Sequence, residues 1–276
     1  MKVFAAAVLF LTLSFNASAW KGVQITDSSQ LDEVASFSTA FGYVPDSLEN
    51  LKNVLDVNQG RMLPIIEISR YFWDYDTGTF IFKDPTELLN ALGNHKIMIM
   101  LDEPFWWVRQ ACHAGKQTAC NEIAADYINT RQLFKNLKLA LGYQMLHVEA
   151  FLELNIQKAE RPNENVLTVE AADHIAFDCY GAFDDCGGRS QFEYAAWLYD
   201  SMLSHQKIFL IAGAFNFADE AVVIDQLEKY SDLYNEYRYL ISGIGIFTWG
   251  NFDGINGARN IPNLKAQVEY VLQTID

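Results

Sequence analysis

Ile97-Met-Ile-Met-Leu-Asp-Glu-Pro104 opens on five consecutive apolar residues and stops on two carboxylates and a proline. An apolar run of that length, closed by such a stop, reads as a buried strand and is too short for a helix. Proline disfavours right-handed helical geometry at the residue before it, so Glu103 is expected to be extended and held at the carboxyl end of the strand. The same alternation of short apolar runs with longer amphipathic segments recurs along the chain. Candidate strands cover Gly22 to Thr26, Ala35 to Tyr43, Met62 to Ser69, Lys96 to Glu103, Met145 to Leu154, His174 to Gly181, Lys207 to Phe215 and Ile244 to Trp249. Helical periodicity marks Ser47 to Val57, Pro85 to Leu92, Asn121 to Leu141, Gln191 to His205, Asp219 to Leu240 and the closing segment Pro262 to Ile275. Asp84 followed by Pro85 offers an N-cap and a first-turn proline, and Asp46 and Asp219 offer similar caps. Eight buried strands separated by helices predict an α/β fold, a single (β/α)8 TIM barrel. No GxGxxG opens a helix, which argues against a nucleotide-binding open sheet.

The chain begins like an export signal: Lys2, an apolar stretch from Phe4 to Phe15, and the small residues Ala17-Ser18-Ala19. Residues 1–19 are therefore expected to be a signal peptide and 20–276 the barrel domain, in a secreted or periplasmic protein. No later stretch approaches the ~20 apolar residues of a membrane span, so no integral membrane association is expected. No Gly/Ser/Pro-rich linker divides the chain. The formal charge of −15 argues against the basic surface that nucleic acids demand. Four cysteines in an exported chain predict disulfides, the local pairs Cys112 with Cys120 and Cys179 with Cys186 being the simplest of three connectivities. No cofactor or metal fingerprint is present, and a monomer is expected.

In such barrels chemistry sits at the carboxyl ends of the strands. Those ends carry Glu67 with Trp73 beyond it, Asp102-Glu103-Pro104 followed by Phe105, Trp106 and Trp107, then Asp178 with Tyr180, and finally Trp249. In Leu146-His-Val-Glu-Ala-Phe-Leu-Glu-Leu154 the aliphatic row Leu146, Val148, Ala150 and Leu152 is expected to face the helices, which turns Glu149 into the barrel. Several carboxylates at one mouth are costly to bury and need a reason. Cleavage of glycosidic bonds supplies one: a carboxylic acid protonates the leaving oxygen, and a second carboxylate attacks, activates water or balances positive charge. Glu103, Asp178 and Glu149 are the candidate catalytic residues. Tyr180, Trp249, Trp106, Trp73 and Glu67 are the candidate substrate-binding residues, the aromatic rings stacking on the apolar faces of sugars.

Asp102-Glu103-Pro104 after strand four, Asp178-Cys-Tyr180 after strand six and Trp249 after strand eight resemble the (β/α)8-barrel glycoside hydrolase superfamily. The resemblance implies a glycosidase acting on an oligo- or polysaccharide, with Glu103 as acid. Two features depart from its members. The seventh strand, Leu210-Ile-Ala-Gly-Ala-Phe-Asn216, lacks the second Glu of cellulase-like and mannanase-like barrels. Met98 and Met100 stand where chitinase-like barrels carry acids. Two alternatives follow: a carbohydrate-binding barrel without catalysis, and a metal-dependent hydrolase using Glu67, Glu103, His147, Glu149 and Asp178, for which no HxH or HExxH cluster speaks.

Overall fold

A computed structural model describes residues 19–163, 167 and 169–275. The expected signal peptide lies, apart from Ala19, outside the described residues. Eight strands form a closed parallel barrel: β1 (Trp20–Ile25), β2 (Ala40–Tyr43), β3 (Leu63–Glu67), β4 (Met98–Asp102), β5 (Gln144–Ala150), β6 (His174–Asp178), β7 (Lys207–Gly213) and β8 (Ile241–Phe247). Each strand pairs in parallel with the next, and β8 returns to β1. All eight expected strands are present, most of them shorter than the apolar runs that revealed them. The second begins only at Ala40, because the link after β1 is a single short turn of helix, Leu31–Val34. The fifth ends at Ala150, and Phe151–Glu160 is a helix. Ser47, not Asp46, caps the helix Leu48–Asn58, its side chain accepting from the Asn50 amide.

The two faces of each strand pack into separate layers. Ala40, Ile65, Met98, Leu146, Val148, Ala176 and Phe209 fill the barrel interior. Ile66, Ile99, Leu101, Ile175, Phe177, Leu210 and Ile244 join the larger core between barrel and helices. This reverses the expected orientation of β5. Leu146 and Val148 point inward, so His147 and Glu149 face the helices, both fully buried. The cause is general: a parallel strand is buried on both sides, and an aliphatic row is at home in either layer. On β8, Gly243 and Gly245 make room for the ring of Phe209. A Cβ on Gly245 would lie 2.8 Å from Phe209 Cε1, and one on Gly243 3.0 Å from Cε2.

Both cysteine pairs are local. Cys112–Cys120 joins the helices Pro104–His113 and Gln117–Ala124, and Cys179–Cys186 closes the loop after β6. A crosslink across a sequence separation of 7 removes unfolded-chain entropy worth about 2 kcal/mol. Replacing Cys179 and Cys186 together by serine is expected to lower stability by about that amount. Urea denaturation, with midpoint and slope both fitted because the uncrosslinked chain unfolds more fully, measures it.

Candidate active site

The carboxyl ends of the strands surround a cavity of about 240 Å³ that reaches down into the barrel. Its polar wall is Glu67 from β3, Asp102 and Glu103 at the end of β4, and Asp178 and Tyr180 at the end of β6. Its floor is apolar, made by Ala40, Ile65, Leu146 and Phe209. Asp102 shares its inward parity with Met98 and Met100, so the strand that carries methionines deep in the barrel delivers a carboxylate at its mouth.

Glu103 is not extended. It has φ 47° and ψ 43°, in the left-handed region, and is the N-cap of the helix Pro104–His113. Pro104 bars the right-handed form as expected, but the turn from strand straight into helix demands the left-handed one. A non-glycine residue there costs ~1 kcal/mol, so the surroundings must hold it in place. One restraint is the Glu103 amide, which donates to the Val148 carbonyl of β5 at 2.9 Å.

The neighbouring groups are fixed by buried hydrogen bonds. Glu67 Oε1 accepts from the Ser69 amide at 2.5 Å, and the Ser69 hydroxyl accepts from the Asp102 amide at 3.1 Å, tying β3 to β4. Around Tyr180, two buried glutamines hold the chain. Gln226 donates to the carbonyls of Cys179 and Gly181 and accepts from the Gly213 amide at 2.8 Å. Gln191 donates to the same two carbonyls and accepts from the Tyr230 hydroxyl. The Tyr180 ring stacks on Phe247 and meets Phe215 edge-on, with centroids 5.3 and 5.1 Å apart.

Burial, followed by the charges of Asp178, Asp102 and Glu153, pushes the Glu103 carboxyl up to about 10. Burial lifts Asp178 only to about 6, because hydrogen bonding from Tyr180 and Glu103 favours its ionised form. Burial also raises Glu67 and carries Asp102 well above its ordinary value, with Asp178 and Glu67 adding repulsion to the latter. Two carboxyls in one cavity are thus driven apart, Glu103 keeping its proton near neutrality while Asp178 gives it up.

The other expected residues are distributed differently. Glu149 is behind β5 with His147, whose Nδ1 lies 4.0 Å from it and Nε2 3.8 Å from Glu153. Burial lowers His147 to about 4. With these two facing the helices, the proposed metal set does not converge, and among the described residues no group of three or more His, Cys, Asp or Glu could hold a metal ion. Trp249 is fully buried, away from the cavity, its Nε1 donating to Glu33 at 3.4 Å and its ring against Phe37. β8 ends at Phe247, and it is Phe247 that lines the cavity. Trp73 and Trp106 border a second, shallow depression of about 820 Å³ beside the mouth, with Tyr75 and Lys116 at its edge. The depression and the cavity share Arg70, Glu103 and Trp107. Asp102, Arg70 and Phe247 were not singled out as site residues; the parity of Met98 and Met100 would have flagged the first.

No family model matches the chain, and no curated protein matches it in sequence. The fold has clear counterparts among solved structures. An endo-β-1,4-glucanase of Xanthomonas axonopodis pv. citri aligns over 93% of this chain and 99% of its own, with TM-score 0.57 and 13% identity. A triple mutant of a second endo-β-1,4-glucanase from that organism aligns over 91% and 99%, with TM-score 0.51 and 14% identity. A GH128 endo-β-1,3-glucanase of Sorangium cellulosum aligns over 92% and 99%, with TM-score 0.50 and 12% identity. These likenesses establish the barrel architecture common to such enzymes.

A raised carboxyl stays protonated in the folded protein at pH values where the unfolded chain has lost the proton. Its contribution to stability is fully present below the ordinary Glu value of 4.5 and is lost as pH rises towards about 10. Glu103→Gln has no proton to lose. It is expected to match the wild type in thermal denaturation at about pH 4 and to become progressively more stable from about pH 6 to about pH 9. A gap that stays constant over this range would contradict the protonated Glu103.

Proposed function

We propose that the protein is an exported glycoside hydrolase that cleaves an oligo- or polysaccharide, with Glu103 as general acid and Asp178 as the second carboxylate. What carries this reading is that the two carboxyls line one cavity in different environments: burial and neighbouring charges push Glu103 up to about 10, while hydrogen bonding from Tyr180 holds Asp178 to about 6. Glu103 gives its proton to the glycosidic oxygen as the bond from that oxygen to the sugar breaks. Asp178, ionised and steadied by Tyr180, balances the positive charge on the sugar and takes a proton from the water as its oxygen bonds to the sugar carbon; exchange with solvent then returns one proton to Glu103 and removes one from Asp178. Glu149 has no part in this, being on the far side of β5.

Trp106, Trp107 and Trp73 supply the aromatic surface on which further sugars of the chain rest, beside Arg70. The fold neighbours described as endo-β-1,4- and endo-β-1,3-glucanases make β-glucans the first polymers to try. Two disulfides suit an oxidising compartment outside the cytoplasm. Among the described residues no helix is long and apolar enough to cross a membrane. The absence of a carboxylate on β7, where Gly213 packs against Tyr180 and Phe217, is the feature that favours a binding barrel instead.

The test is hydrolysis of a panel of polysaccharides and aryl glycosides by the wild type and Glu103→Gln. Turnover is expected, and the substitution is expected to reduce kcat on polysaccharides by a factor of about 100 to 10,000 with the fold intact. On the wild type, kcat/KM is expected to rise through about pH 6 as Asp178 ionises and to fall towards about 10 as Glu103 loses its proton. Polysaccharide retention without turnover by either protein would identify the binding barrel. Trp106→Ala is expected to raise KM about tenfold on long substrates, in line with one lost stacking contact, and to leave short aryl glycosides unaffected.

A further inference from the structure

Glu153 lies outside the cavity, yet it is fully buried beside the chemistry. It belongs to the first turn of the helix Phe151–Glu160, which β5 enters directly from Ala150. Its Oε1 accepts from the Trp106 amide at 2.6 Å. The Phe105 amide is close enough to favour its ionised form as well. Phe105 and Trp106 are the second and third residues of the helix that Glu103 caps. In most helices the N-cap side chain itself accepts from those amides. Here Glu103 makes no side-chain cap hydrogen bond. Glu153, 47 residues beyond Trp106, caps the helix in its place.

We propose that Glu153 is the positioning residue of the site, capping the helix Pro104–His113 from outside so that the Glu103 side chain is released to face the cavity. The inference rests on Glu103 being the acid. If Glu153 withdrew, Glu103 would be the nearest side chain able to take the Phe105 and Trp106 amides, as N-cap residues do, and would turn away from Asp178. Two restraints from one unit therefore hold the left-handed turn. Val148 of β5 accepts from the Glu103 amide, and Glu153, just after β5, accepts from the helix. Phe105 is wedged beneath, its ring centroid 5.6 Å from His147 and 4.9 Å from Tyr127, so the first turn has little room to shift.

The role of reach is separated from the role of charge by two conservative variants. Glu153→Gln keeps the length and an accepting oxygen but carries no charge, whereas Glu153→Asp keeps the charge and falls short of the amides. The readouts are the side-chain carboxyl ¹³C resonance of Glu103, identified by its disappearance in Glu103→Gln, followed against pH, and amide hydrogen exchange at Trp106. In Glu153→Asp the Glu103 titration is expected to move down by about one unit or more as it takes up the helix amides, and exchange at Trp106 to quicken about tenfold. Glu153→Gln is expected to keep exchange at Trp106 near the wild-type rate and to lower the Glu103 titration only by the loss of the Glu153 charge, less than Glu153→Asp does. Equal shifts in the two variants, a larger shift in Glu153→Gln, or no shift in either would overturn the proposal. No substrate enters these measurements, so they give their answer even if the wild type hydrolyses nothing.

Discussion

Four carboxyl groups, Glu67, Asp102, Glu103 and Asp178, share the mouth of one barrel, and they cannot all be ionised there. Each is raised first by burial, and Asp102 and Glu103 also by their neighbours. The folded state therefore holds protons that the unfolded chain would release near neutrality, a cost the rest of the molecule must cover. It does so with the large double-layered core: aliphatic and aromatic side chains both inside the barrel and between barrel and helices. The site is thus an expensive feature of an otherwise ordinary fold.

What makes the crowding useful is that the environments differ. Asp178 has the Tyr180 hydroxyl beside it, and Tyr180 is held by ring contacts and by a strand end whose carbonyls are gripped by Gln191 and Gln226. The neighbouring Cys179–Cys186 crosslink closes the loop on the same strand end. Glu67 turns one oxygen to the Ser69 amide, which leaves it a structural partner of the β3 to β4 junction as much as a lining group. The two carbonyls would survive the loss of either glutamine, but removing Gln226 would strand the buried Gly213 amide and removing Gln191 the buried Tyr230 hydroxyl, each at a cost of about 1 to 3 kcal/mol. These supports explain how one side chain can stay ionised a short way from another that stays protonated.

The barrel was legible because hydrophobic periodicity reports burial, and eight short apolar runs separated by amphipathic segments have few other solutions. Glu103, Asp178 and Tyr180 were legible for a related reason: the end of an apolar run in such a barrel is the mouth. Glu149 and Trp249 were misplaced because the argument needed more than periodicity. On β5 the polar and aliphatic rows are both buried, so alternation identifies two faces without saying which is inside. Trp249 lies two residues past β8, and once the strand has ended its parity no longer applies; the chain turns back so that the Trp249 amide donates to the Gln24 carbonyl. Of the glutamines that hold Tyr180, Gln191 opens the helix after the β6 loop and Gln226 sits on the next helix, and Glu153 looked like one more strand residue. Their roles depend on contacts that only closure of the barrel creates.

The helix Pro104–His113 presents a problem of its own. Its amino end points towards the site, and the partial positive charge there, with its free amides, would favour an ionised carboxylate on the residue that caps it. Glu103 is that residue, yet its side chain makes no cap hydrogen bond and its carboxyl is the one pushed up to about 10, with burial the largest cause. Glu153 receives those amides, and although burial raises it to about 8, their hydrogen bonds pull it the other way. The helix terminus therefore acts on the carboxyl outside the cavity, while the one that lines it feels mainly burial and the charge of its neighbours. A capping arrangement that ordinarily stabilises a carboxylate at the N-cap is here taken up by Glu153, and Glu103, which makes no cap hydrogen bond, keeps the raised carboxyl that the proposed acid requires.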